Sequence, residues 1–278
     1  MTVLATALVL GAALLHASWN AILRGGADRL WSIAVICGTS AVVALPFVIA
    51  LPLPAPASWP FIGFSTVVQD VSCFLLVRGY RDGHLAQVYP IARGSSPMLV
   101  TLGALAFAGE RPSVAATAGI VLISAAILAL GFERARPKPG TTFTALAIGV
   151  CIAAYTLSDG VGARASHETA SYTAWLFLIQ GASMPLLFIA LRGRLVLSWR
   201  DGETRKAIAG GVFGLVSYGV VIWALTLAPM GRVSALRETS VLFAALIGAI
   251  FLKERLTGAR VVAAVMIAAG AAVLSAAP

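Results

Sequence analysis

Charge is scarce in this chain. Only 11% of its 278 residues are Asp, Glu, Lys or Arg, while 59% are hydrophobic. That is about half the charge density of a soluble domain, which excludes a water-soluble globule. Cysteine is nearly absent. Cys37, Cys73 and Cys151 all lie inside apolar stretches, with neither CxxC nor metal-ligand spacing, so they read as small core residues and no metal site is expected. HExxH, GxSxG and GxxxxGK[ST] are missing as well, which removes the chemistry of an ATP-driven pump and of the common hydrolases; no cofactor is expected. Residues 160–165 match the dinucleotide pattern G-x-G-x-x-A, but they end a hydrophobic run instead of following a strand, and the match is dismissed. No basic stretch precedes the first apolar run and comparable runs follow it, so a cleaved signal peptide is not expected.

What is present is a succession of apolar runs separated by charge, Pro or Gly. A spanning helix needs roughly 20 apolar residues. The sequence predicts ten spans, at residues 3–23, 30–50, 61–79, 86–108, 113–132, 143–163, 169–191, 206–227, 231–252 and 258–276. Barrel strands would alternate polar and apolar residues, so the fold class is all-α and the chain is predicted to be a polytopic membrane protein whose partner is the lipid bilayer. The formal net charge of +9 would suggest nucleic acid only if the basic residues clustered on a solvated face. They lie between apolar runs instead, and no nucleic-acid partner is expected. One side of the bilayer receives Arg24, Arg29, Arg78, Arg81, Arg134, Arg136, Lys138, Arg192, Arg194, Arg200, Arg205, Lys206, Lys253, Arg255 and Arg260; the other receives only Arg111 and Arg164. The positive-inside rule makes the basic side cytoplasmic, which puts both termini outside the cytoplasm, as for a multi-pass protein of the inner (plasma) membrane.

The chain also repeats itself weakly. One fixed offset places Arg93 on Arg237, Ser96 on Ser240, Leu102 on Leu246 and Phe107 on Phe251, and a similar one places Pro46 on Pro185. The reading is a five-helix unit at 1–132, a basic cytoplasmic linker at 133–142 and a second unit at 143–278. An odd number of spans per unit inverts the second copy. The loop at 51–60 carries no charge, whereas its counterpart at 192–206 is rich in arginine, as expected if they face opposite compartments. Inverted repeats place a substrate site near the midplane between them.

With the doubled unit, GER at 109–111, KER at 253–255 and the polar HASWN at 16–20, the sequence resembles the drug/metabolite transporter superfamily, specifically its ten-helix EamA-domain members, over essentially its whole length. The resemblance implies an inner-membrane carrier of small metabolites, often an amino-acid exporter. It also implies that spans 1, 3, 4, 6, 8 and 9 line the path, with spans 5 and 10 peripheral.

Ionisable groups kept inside a bilayer are functional candidates by default. Asp70, beside Gln69 in the third span, reads as a proton-titrating or amine-binding carboxylate, or else as a bond between helices. Arg93 and Arg237 occupy equivalent places in the fourth and ninth spans; on opposite sides of the midplane they would anchor substrate carboxylates or act as gates, with Glu238 as a neighbouring candidate for pairing or proton coupling. His16 and Asn20 lie one turn apart, as do Tyr155 and Asp159 at the equivalent place in the second unit, Asp159 being either functional or a solvated helix end. Trp19, Tyr89, Tyr218 and Trp223 are candidates for stacking on a flat or cationic solute. The fifth and tenth spans, rich in small residues such as Gly119 and Ala268, would dock on their own bundle or on a second copy; a monomer is expected.

The reading is therefore a secondary active or facilitative carrier of small organic metabolites, an amino-acid-like or aromatic solute exported by alternating access, with proton coupling through Asp70 or His16 left open. The rival is an intramembrane enzyme acting on a lipid-like substrate, which an inverted repeat does not require.

Overall fold

The computed structural model describes residues 2–26, 28–81, 85–133, 137–251 and 257–277. These fold into helices α1 (Val3–Gly25), α2 (Arg29–Ala50), α3 (Trp59–Arg81), α4 (Leu85–Phe107), α5 (Val114–Gly131), α6 (Pro139–Ala165), α7 (Thr169–Arg192), α8 (Gly202–Leu227), α9 (Met230–Arg237), α10 (Ser240–Phe251) and α11 (Gly258–Ala276), with a short 3-10 turn, Pro56–Ser58, before α3. Among the described residues there is no strand. The free N–H groups at helix starts are met locally: Thr2, Asp28, Ser113, Asp201 and Thr257 each accept a backbone N–H of the following helix, as helix N-termini require. α6 begins at Pro139, inside the stretch read as linker, because proline suits the first helical position, where no N–H bond is lost.

Among the described residues nine helical stretches are long and apolar enough to span a bilayer. α4 is equally long but is not one of them, because Gln87, Tyr89, Arg93, Ser95 and Ser96 crowd its first half. The ninth span differs from expectation in a second way. It is not one helix: α9 stops at Arg237, residues 238 and 239 form a turn, and α10 restarts at Ser240. The protein is a multi-pass, all-α membrane protein. Large apolar side chains such as Val42, Ile49, Leu102, Phe107, Val262 and Val265 point outward. On a soluble monomer they would form an aggregation surface; here they face lipid.

Packing crosses between the first and last halves of the chain. α3 and α4 lie against α6, while α8, α9 and α10 lie against α1; α2 runs along α7, and α5 packs on α4 and α11. α2 and α7 are antiparallel. Ser171 at the start of α7 donates to the Pro52 carbonyl just beyond α2, and Trp31 near the start of α2 donates its Nε1–H to the Val196 carbonyl beyond α7. Loops 51–60 and 192–206 thus lie at opposite ends of the bundle. α5 and α11 use their small residues on each other: a Cβ on Gly119 would lie 2.8 Å from Leu274 Cγ, and one on Gly270 2.6 Å from Ile123 Cγ1. Buried apolar residues form four separate clusters, and the polar residues lie between them.

Candidate functional site

A cavity of about 190 Å³ opens among these clusters. Each helix presents one stripe to it: His16, Trp19 and Asn20 from α1; Ile36, Cys37 and Ser40 from α2; Gln69, Ser72, Cys73 and Leu76 from α3; Tyr89, Ala92 and Arg93 from α4; Ile148, Ile152 and Tyr155 from α6; Phe177 and Gln180 from α7; Gly214 and Tyr218 from α8; Arg237 from α9. The three- and four-residue steps are those of a single helical face. Neither α5 nor α11 contributes, as the resemblance implied, but α2 and α7 also form part of the wall.

The charged centre sits where the ninth span breaks. Arg93 Nε lies 2.9 Å from Glu238 Oε2, Arg93 Nη2 donates to Ser240 Oγ at 3.1 Å, and Arg237 Nη2 stands 3.7 Å from Glu238 Oε1. Arg93, Arg237 and Glu238 are 4%, 1% and 0% exposed. The two guanidiniums, expected on opposite sides of the midplane, converge on one carboxylate. The backbone accommodates this by tightening. Glu238 N–H reaches Ala235 O, Thr239 N–H and its hydroxyl both reach Leu236 O, and Val241 N–H reaches Glu238 O. These i→i−3 bonds replace the α-helical ladder for one turn, and irregular backbone at membrane depth is tolerated where it is buried in protein or lines a cavity. Arg237 lines the cavity, and its Nε and Nη2 make no hydrogen bond among the described residues. Arg93 also stacks over Tyr89, its guanidinium carbon 5.8 Å from the ring centre.

Asp159 is not a solvated helix end: it is 0% exposed. It accepts the Tyr218 hydroxyl at 2.5 Å and the Tyr172 hydroxyl at 3.0 Å, and Ser65 supplies a third hydroxyl. Gly162 makes this approach possible, because a Cβ there would lie 2.7 Å from the Tyr172 hydroxyl oxygen; the glycines of the dismissed dinucleotide pattern therefore serve helix packing. Tyr218 joins Asp159 to the cavity, flanked edge-on by Tyr155 and Phe177. Asp70 is half-buried and lies outside the lining; Ser183 Oγ donates to its Oδ1 at 3.0 Å. Trp19 Nε1 donates to His16 Nδ1 at 3.2 Å and Asn20 Nδ2 to the His16 carbonyl at 2.9 Å, so these three wall residues also orient one another. Trp223 is not in the lining and packs against the largest apolar cluster. Ser40, Ser72, Gln180, Cys37 and Cys73 line the cavity without having been singled out as site residues. The shared helical stripe was the signal that could have found them.

Past the cavity, Glu110 of the GER motif pairs with Arg164 at 2.7 Å and accepts the Met230 N–H at 2.7 Å, while Arg164 donates to the Leu225 and Ala228 carbonyls. That knot ties the loop after α4 to the end of α6 and the start of α9. The KER motif at 253–255 lies outside the described residues. Among the described residues no cluster of metal-ligating side chains occurs.

An all-helical bundle around a mostly apolar cavity that carries two buried arginines fits a solute carrier. Residues 141–276 match the model of the EamA-like transporter family. That match over the second half, with the all-helical fold, supports an EamA-like transporter of the drug/metabolite transporter superfamily, a family of membrane transporters of small solutes. A solved crystal structure superimposes on it with a TM-score of 0.77 at 20% identity, covering 98% of each chain; that likeness concerns the fold. No curated protein matches.

Proposed function

We propose that the protein is a secondary carrier of the inner membrane that exports small amino-acid-like or aromatic carboxylates by alternating access, as a monomer with both termini outside the cytoplasm. The observation that carries the reading is the buried Arg237 in the wall of an aromatic-lined cavity, held only by the 3.7 Å ion pair to Glu238 and without a hydrogen bond on its Nε or Nη2 among the described residues. A guanidinium held out of water binds a carboxylate with charge-assisted hydrogen bonds. Two inverted five-helix units, 1–132 and 143–278, supply the alternation. The antiparallel α2–α7 pair supports this, as does the reciprocal packing of α3 and α4 on α6 and of α8, α9 and α10 on α1. In that reading the Glu110–Arg164 knot closes the outer end, and the Asp28–Arg192 ion pair and the Trp31–Val196 bond close the inner one.

The test is flux in proteoliposomes carrying the purified chain, with a panel of amino acids and aromatic carboxylates at two pH values. Saturable movement that responds to pH is expected. A parallel measurement labels single cysteines at Ala57→Cys and Ser198→Cys in a background whose native cysteines are alanine. Labelling from opposite faces is expected, and labelling from the same face overturns the inverted arrangement.

A further inference from the structure

The charges around the cavity are sorted by row. Its charged lining residues are cationic: Arg93 and Arg237. Each neighbouring carboxylate stands behind the wall and is already engaged. Glu238 is held between the two arginines, Asp159 sits behind Tyr218 with Tyr172 and Ser65 on it, and Asp70 is bonded to Ser183. Among the described residues a solute ammonium entering the cavity meets no carboxylate in the lining, whereas a solute anion meets the wall at Arg237, whose buried Nε and Nη2 make no hydrogen bond there, Nη2 standing 3.7 Å from Glu238.

We infer that the site reads the carboxylate and the ring of its solute and has no ionic partner for an amine, so that the class it takes best is aromatic or apolar monocarboxylates, amino acids being carried only as far as their carboxylate permits. The volume fits a single-ring solute, since about 190 Å³ is well below the roughly 300–1,000 Å³ of drug-sized pockets. The aromatic wall of Trp19, Tyr155, Phe177 and Tyr218 suits a ring placed beside that anion. This inference rests on the carrier reading above and sharpens its substrate.

Three probes sharing one ring and chain length separate the charges: 3-phenylpropionate, phenylalanine and phenethylamine, each followed for flux into proteoliposomes and for the shift it causes in the Tm of the detergent-solubilised chain. The carboxylate is expected to move at least as fast as the amino acid and at least about tenfold faster than the amine. Arg237→Gln should erase that preference while leaving phenethylamine flux equal or raised, and Arg237→Lys should retain part of it, with the Tm of each variant reporting whether it folds. Phenylalanine tenfold ahead of 3-phenylpropionate, or phenethylamine ahead of both, overturns the inference while leaving the carrier standing. Absence of flux and of Tm shift with all three overturns the carboxylate-carrier reading itself.

Discussion

α4 and the α9–α10 pair each bring one arginine to the same carboxylate, yet their backbones behave in opposite ways. α4 contains Pro90 and Pro97 and runs unbroken from Leu85 to Phe107, whereas the segment from Met230 to Phe251 has no proline inside and breaks at residues 238 and 239. Proline is the usual cause of a helix interruption. Here the interruption follows a buried charge instead. Glu238 must meet Arg93 from another helix, and the backbone around it exchanges its α-helical bonds for tighter ones that the Thr239 hydroxyl supports. The proline-bearing helix stays continuous because its packing on α5 and α6 holds its path.

The largest expected effect lies at the shared carboxylate. Glu238→Ala would leave two guanidiniums buried without their acid, and breaking a buried pair from one side costs about 3–5 kcal/mol. The Tm of the purified chain should fall sharply and flux should be lost. A Tm unchanged from the parent would mean that the break in the ninth span does not depend on the ion cluster. Replacing Arg93, Arg237 and Glu238 together with methionine should recover much of the stability but not the flux, which separates the architectural role from the transport role.

How far this comparison could be read from sequence depends on the kind of interaction. Nine of the ten expected spans follow from apolar runs, and Arg93, Arg237 and Glu238 stand out because ionised groups inside a span are rare. The break did not stand out, since it is set by a residue on another helix, and no local pattern of Gly or Pro marks it. Other misplacements have simple angular causes. Gln69 faces the cavity, so its neighbour Asp70, about 100° further round the helix, cannot follow the same stripe. Tyr218 and Trp223 are five residues apart, which puts them on different faces, and only Tyr218 reaches the wall. The hydroxyl cage of Asp159 draws on three helices other than its own, information that span-by-span reading does not contain.

The next effect tests what fixes the two arms of the comparison to each other at their ends. Glu110, just past α4, accepts the Met230 N–H that opens α9 and pairs with Arg164. Glu110→Gln keeps the shape but removes the charge. The Arg164 side chain is 34% exposed and the Glu110 side chain 15%, so solvent screens part of the loss and the cost should be about 1–2 kcal/mol. Measured by thermal unfolding, the drop should be well under that of Glu238→Ala, while the passive leak through reconstituted vesicles rises because the knot at that end is loosened. A drop as large as that of Glu238→Ala would move the structural centre of this region from the ion cluster to its outer end.

The smallest effect belongs to the prolines. In an isolated helix an interior proline costs about 3 kcal/mol relative to alanine, and on that scale alone Pro97→Ala is strongly stabilising. Two things reduce that gain. Alanine enlarges the conformational freedom of the unfolded chain, which costs the folded state about 0.4–1 kcal/mol. The packing of α4 against α5 and α6 is also already shaped around the proline, so a restored N–H at residue 97 can bond the Arg93 carbonyl only if that packing shifts. The expected change in stability is below about 1 kcal/mol in either direction, with Arg93 still on Glu238 and 3-phenylpropionate flux within about twofold of the parent, a change in rate smaller than that energy bound allows. If Pro97→Ala instead abolished flux or lowered Tm more than Glu238→Ala, the proline-bearing helix would be the element that shapes the cavity. The break at residues 238 and 239 would then be a consequence of that shape and not of the buried charge.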